Sequence, residues 1–165
     1  MSSLPKWIES TGGPLIAIPE THLLMWTGTD GPDYERACAI SNYVGTLSVG
    51  DAQALVFGDE PMSTTCVELP SVGLLIARWM WAPDRASATQ ALASVTKNDF
   101  VNPLESIAVR SASRRYRMFD SAFPYSEVDS QLALILPSGQ YCVRTIEFAP
   151  SDTTRFIISG VFTQF

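Results

Sequence analysis

Short apolar runs broken by turn residues at close intervals dominate this chain, the pattern of an antiparallel all-β or α+β fold. The first runs are residues 7–10, 15–18 and 23–27, with Thr11-Gly12-Gly13-Pro14 between the first two and Pro19 before the third. Glycines supply the positive φ values of a tight turn and Pro14 suits an edge position, so the first two runs are expected to form a hairpin. Residues 44–49 and 52–57 predict a second hairpin closed by Gly50-Asp51, and residues 64–69 and 73–81 a third across Pro70-Ser71-Val72. Further strands are expected at 105–110, 115–120, 131–136, 141–148 and 154–162. The last three read as a meander, turning at Pro137-Ser138-Gly139 and at 149–153.

Two segments carry the helical period instead. Gly31-Pro32-Asp33 opens a helix that is expected to run to about Ser41, because a proline in the first turn forfeits no hydrogen bond and Asp33 and Glu35 complement the helix dipole. Tyr34, Ala37, Cys38 and Ser41 would form its inner stripe. The second helix is predicted over 84–95, capped by Asp84, with Ala88, Ala91, Leu92 and Val95 on one face. With no internal repeat or linker, the expectation is one α+β domain over residues 1–165: mostly antiparallel β-sheet, about ten strands, and two short helices.

Composition narrows the chemistry. Of the 165 residues, 46% are apolar and 17% charged, a low charged share offset by 18 Ser and 13 Thr. A chain of this size buries enough apolar surface to fold without disulfides or a metal. The formal charge of −6 argues against a dedicated nucleic-acid backbone binder. That charge is uneven: residues 1–75 hold two cations against nine carboxylates, while residues 76–165 hold nine cations against eight. An acidic segment of this kind can steer a basic partner, or simply form a solvated face.

Cys38, Cys66 and Cys142 are odd in number and include no CxxC pair, so reduced, buried thiols in a cytosol are expected. The start MSSLPKW lacks the apolar core of a signal peptide, and the apolar run at 72–77 is too short to span a membrane.

Catalytic constellations are sparse. His22 is the single imidazole, with neither a GxSxG elbow nor a local Cys–His signature beside it, and it reads as a surface or turn residue. Neither GxxxxGK[ST] nor GxGxxG occurs, and no ligand spacing suggests a zinc site; no cofactor or metal is expected. The acid pairs Asp59-Glu60 and Asp30/Asp33 sit beside Gly or Pro, in what read as exposed loops where both acids of a pair stay ionised. Arg114-Arg115-Tyr116-Arg117 is the one basic cluster; a strand with Arg115 and Arg117 outward and Tyr116 and Met118 inward accounts for it without nucleic acid. Trp7, Trp26, Trp79 and Trp81 fall on predicted strands, where large aromatics belong mostly to the core.

One ordered set of segments carries a resemblance. Trp7-Ile8-Glu9-Ser10-Thr11-Gly12-Gly13-Pro14, Trp26-Thr27-Gly28, Asp33-Tyr34-Glu35-Arg36-Ala37-Cys38, Gly58-Asp59-Glu60-Pro61 and Arg78-Trp79 together resemble the Immunity protein 21 family of bacterial polymorphic toxin systems. The resemblance implies a cytoplasmic protein that binds one cognate toxin domain and blocks it; stoichiometric, non-catalytic inhibition by a monomer or weak homodimer is expected. The resemblance carries over no catalytic residue. Combined with the charge distribution, it makes Asp30, Asp33, Glu35, Asp59 and Glu60 candidate partner-facing acids, suited to a basic nuclease. Tyr34 and Trp26 flank the loop at 27–32 and are the candidate aromatic anchors. The rival expectation is a small-molecule-binding β-rich module with a deep apolar cavity; an enzyme using two carboxylates ranks third.

Overall fold

The computed structural model describes residues 5–58 and 62–163. In chain order it runs β1 (Leu15–Pro19), α1 (Asp33–Cys38), β2 (Val44–Val49), β3 (Ala52–Phe57), β4 (Ser63–Leu69), β5 (Gly73–Trp81) and α2 (Arg85–Leu92). It continues through β6 (Glu105–Ser111), β7 (Arg115–Asp120), β8 (Leu132–Ile135), β9 (Gly139–Ser151) and β10 (Thr154–Phe162). All pairings are antiparallel. The first sheet has the order β2-β3-β1-β7-β8 and the second β4-β5-β10-β9-β6. The fold is α+β and mostly β, as expected.

The period of two along each strand assigns its side chains to two different cores. Leu15, Ala17, Leu55, Phe57, Tyr116 and Met118 of the first sheet pack against Ile76, Val109, Tyr141, Val143 and Val161 of the second, so the sheets lie face to face. The opposite face of the first sheet (Ile16, Ile18, Val56, Phe119) is covered by Leu23, Trp26 and Ala37 from the α1 side. The opposite face of the second (Leu75, Ala77, Phe156, Ile158) is covered by Ala88 and Leu92 of α2 and by Phe100. Helical layers thus flank a two-sheet sandwich. Strands covered on both faces need apolar residues at every position, which is why β1 reads LIAIP without alternation and is buried throughout.

Two of the three expected hairpins, β2–β3 and β4–β5, form in register. The α2 stripe is also present: Asp84 Oδ1 accepts from the Ser87 N–H at 2.7 Å, and Ala88, Leu92 and Val95 are buried. Other expectations are corrected. Residues 7–10 form no hairpin with β1; Ile8 makes an isolated bridge to Thr64 of the second sheet, so Thr11–Pro14 crosses between sheets. Far from an edge, β1 is the central strand of its sheet, and its proline at position 19 lies beyond the last pair with β3, where only β7 adjoins it. Residues 23–27 are not a strand, because Glu20–Met25 is a 3-10 helix. Leu23 and Trp26 point inward while Leu24 is 84% and Met25 52% exposed, the spacing of a helix with three residues per turn. The expected meander breaks at its first turn, because β8 belongs to the first sheet and β9 to the second. α1 stops at Cys38 rather than Ser41, and Asp33 and Ala37, not Tyr34 and Cys38, are its buried residues.

Trp7 and Trp26 are core, Trp79 is half-buried, and Trp81 is 45% exposed under the Arg155 guanidinium. All three cysteines are free thiols; Cys142 is buried, but Cys38 is exposed. No helix among the described residues is long and apolar enough to cross a membrane.

Candidate functional site

Strand register decides which loops meet. Leu15 pairs with Phe57 on one side and Asp120 on the other, and Phe57 pairs with Val44. The start of β1, the end of β3, the start of β2 and the end of β7 therefore share one end of the first sheet. The segments at 9–14, 39–43 and 121–124 emerge there together, as does Gly58.

Asp120 ties the first of these in place. Its Oδ2 accepts from the Thr11 backbone N–H at 2.7 Å and the Thr11 hydroxyl at 2.9 Å, and its Oδ1 accepts from the Ala122 N–H at 3.0 Å. The Ser121 N–H and hydroxyl both donate to the Pro14 carbonyl, at 3.2 and 2.5 Å. Trp26 is buried with its indole N–H donated to the Ser121 carbonyl at 2.9 Å, and the Thr29 N–H donates to the Ala122 carbonyl at 2.9 Å. Glycine allows these segments to touch. A Cβ at Gly13 would lie 2.3 Å from the Tyr34 hydroxyl oxygen, and one at Gly28, whose φ is +55°, would lie 2.5 Å from the Ala122 carbonyl oxygen.

α1 closes the cluster. Asp33 Oδ2 accepts from the Thr27 N–H and hydroxyl at 2.9 and 2.8 Å, while Oδ1 accepts from Arg36 at 2.9 Å. Arg36 also donates to the Ser48 carbonyl at 2.7 Å, fastening α1 to β2. Partial burial alone would raise the Asp33 pKa, but the Thr27 donors and the Arg36 guanidinium outweigh it and hold the carboxyl below its ordinary value. An aspartate lowered by folding stabilises the native state above its unfolded-state value, about 3.9, and loses that contribution as pH falls through the folded value. The urea midpoint of Asp33→Asn should thus fall furthest below wild type near pH 6, with the gap closing under about pH 3.5. Equal gaps at both pH values would remove Asp33 from this role. Tyr34 is half-buried against Gly13; its hydrogen bond with Cys38, followed by burial and the charge of Asp120, raises its phenol pKa.

The candidate residues divide by exposure. Asp30 and Glu35 are exposed on the rim, and neither forms an ion pair or side-chain hydrogen bond among the described residues. Asp33 is spent internally, and Trp26 is a framework residue rather than a surface anchor because its indole is enclosed and its N–H occupied. Asp59 and Glu60 lie outside the described residues; Gly58, which precedes them, is at this same end of the sheet.

Four tying residues escaped the sequence reading as site residues. Asp120-Ser121 carries an available signal: an Asp ending a strand and bonding the N–H two residues on is an Asx turn. Arg78 and Glu105 reach across from the second sheet; Arg78 entered the reading only as part of the resemblance, with no role attached, and Glu105 had no local signal. The buried Arg78 guanidinium donates to the Gly58 and Tyr43 carbonyls at 2.5 and 3.1 Å, and the Glu105 carboxylate accepts from the Tyr43 and Val44 N–H groups at 3.2 and 2.9 Å.

Elsewhere, His22 Nε2 lies 2.5 Å from Asp51 Oδ1 and its Nδ1 lies 2.7 Å from the Thr21 hydroxyl. This chain of groups fastens the β2–β3 turn to the 3-10 helix on the exposed surface. Arg117 of the basic cluster pairs with Glu20 at 3.0 Å, and Tyr116 is buried between the sheets. Among the described residues, no group of three or more His, Cys, Asp or Glu side chains is placed to hold a metal.

No curated protein and no solved structure matches the chain. The family model described as Immunity protein 21 does match, over residues 6–154, and it takes in every segment assembled at this end of the first sheet. The chain belongs to the Immunity protein 21 family.

Proposed function

We propose that this protein neutralises a toxin domain by stoichiometric, non-catalytic binding in the cytoplasm, and that it presents the loop cluster at the Leu15 end of the first sheet to that toxin. The observation that carries the reading is the convergence just described. Segments scattered from Thr11 to Ala122 are bonded into one support, and the unpaired acids Asp30 and Glu35 stand on its rim. A rigid, preorganised surface loses little conformational freedom on binding, which favours tight association. Acids at the rim steer a basic partner such as a nuclease, whose substrate-binding surface is cationic, and accelerate encounter. Occlusion of that surface by one copy of the chain is the proposed means of inhibition.

The test is co-expression with the toxin domain encoded beside this protein's gene. Growth rescue and co-purification of a 1:1 complex are expected, with association slowing as salt rises. Asp30→Lys/Glu35→Lys should slow association about tenfold or more, and adding Asp59→Lys/Glu60→Lys should deepen the loss. Failure of rescue with the true neighbour overturns neutralisation. Rescue with unchanged association rates in the reversed variants overturns the choice of surface.

A further inference from the structure

We infer that a second surface, a cationic groove at the far end of the sandwich, takes an acidic, extended peptide segment bearing apolar side chains. The groove has a volume of about 790 Å³ and runs between β8 of the first sheet and the β4–β5 turn, β9 and β10 of the second. Lys97, Arg114 and Arg144 line it, with Glu68 as the one carboxylate. The three cations come from three separate parts of the chain, and none of them forms an ion pair among the described residues. Like-charged side chains repel, so their convergence in a chain of net charge −6 is not accounted for by solubility. It leaves a local field of opposite sign to the rest of the molecule, complementary to a polyanionic occupant.

Apolar side chains line the groove together with these cations. Ile135 is 57% exposed, Leu74 is half-buried, and Phe162 lies under the Arg144 guanidinium at 5.2 Å. Acid and apolar groups together are therefore the complementary chemistry. A peptide fits better than a compact anion because the groove is open and crosses both sheets, and because β8 is a terminal strand with one side unpaired in the sheet order. An extended chain can align along such an edge while its side chains alternate between cations and apolar floor. Arginine forks hold carboxylates bidentately, which gives Arg114 and Arg144 the larger share of recognition.

This surface is separate from the one proposed for the toxin. Arg115 pairs with Ile135 while Asp120 pairs with Leu15, so the two lie at opposite ends of β7, about 17 Å apart at the usual rise per residue. The inference does not depend on the neutralising function.

Fluorescence anisotropy with a labelled peptide of alternating Glu and Leu, about six residues long, tests it. Saturable binding is expected, weakening about tenfold or more between roughly 50 and 300 mM salt, with no binding of the Lys/Leu counterpart. Arg114→Glu/Arg144→Glu should abolish it, and the exposed Lys97→Glu, which leaves packing untouched, should weaken it several-fold; Asp30→Lys/Glu35→Lys should leave it intact. The inference is overturned if the acidic peptide does not saturate, or if Lys97→Glu and the double variant bind it as wild type does. It is also overturned if the protein instead sediments with phosphatidylglycerol-containing vesicles while ignoring the peptide, which would make the groove a lipid contact.

Discussion

Arg78→Met should lower the free energy of unfolding by about 3–5 kcal/mol. The side chain is buried, reaches from β5 to the first sheet, and donates to the Gly58 and Tyr43 carbonyls. Methionine keeps much of the volume but removes two hydrogen bonds from a charged donor, each worth about 1.5–3 kcal/mol, and takes the guanidinium donor from the Gly58 carbonyl, while the Tyr43 carbonyl keeps the Gly58 N–H at 3.0 Å. Arg78→Lys keeps the charge but not the fork and should recover part of the loss. For a chain of this length the methionine variant should melt roughly 10 °C lower, read by circular dichroism, with the denaturant m-value unchanged. A loss under about 1 kcal/mol would mean that Arg78 does not pin the two sheets together. On the proposed function, because Gly58 leads directly into Asp59-Glu60, the same substitution is expected to weaken toxin binding even at temperatures where the variant remains folded.

Asp120→Ala should cost about 2–3 kcal/mol, less than Arg78→Met because Thr11 lies at the surface and can recover water as a partner. The carboxylate accepts three hydrogen bonds and is the sole side-chain acceptor joining the 9–14 segment to the end of β7 among the described residues. Its loss should free that segment, and with it the Gly13 surface against which Tyr34 packs. Native-state hydrogen exchange is the direct readout. The Thr11 and Ala122 amides should lose protection by a factor of ten or more, while amides within β9 and β10 exchange as before. On the proposed function, dissociation from the toxin should also quicken, since the rim acids would no longer rest on a fixed support. Unaltered exchange at Thr11 would exclude Asp120 as the tie.

Much of the local structure was legible because its causes are local. The β2–β3 hairpin needs only two short strand-like runs and Gly50-Asp51, and α2 needs only Asp84 and an apolar stripe. The misread run at 23–27 was ambiguous for a physical reason. Leu23-Leu24-Met25-Trp26 is uniformly apolar, so no period shows which residues point inward until the sheet beneath takes up Leu23 and Trp26. At the candidate site, the segments themselves were visible, but exposure was not. Trp26 and Asp33 look as available as Asp30 and Glu35 when written in a line. Burial against Ser121 and bonding to Thr27 remove the first two from any partner's reach. The basic cluster divides in the same way: Tyr116 enters the core, Arg117 pairs with Glu20, and Arg114 turns to a groove whose other cations are 17 residues before it and 30 after it in the chain.

By itself, then, the amino-acid sequence determined the kinds of element, most of their bounds, the α+β class and the acidic bias of the first half. These follow from backbone conformational preference and side-chain periodicity, which act over a few residues. Tertiary structure alone decided which strands became neighbours, that β1 and β10 took the sheet centres, and that Thr11, Trp26, Asp33 and Asp120 met at one end. Such pairings join residues up to 109 positions apart. They are selected by the joint requirement that every strand cover its apolar faces and pair its backbone, a condition on the whole chain that no local window contains.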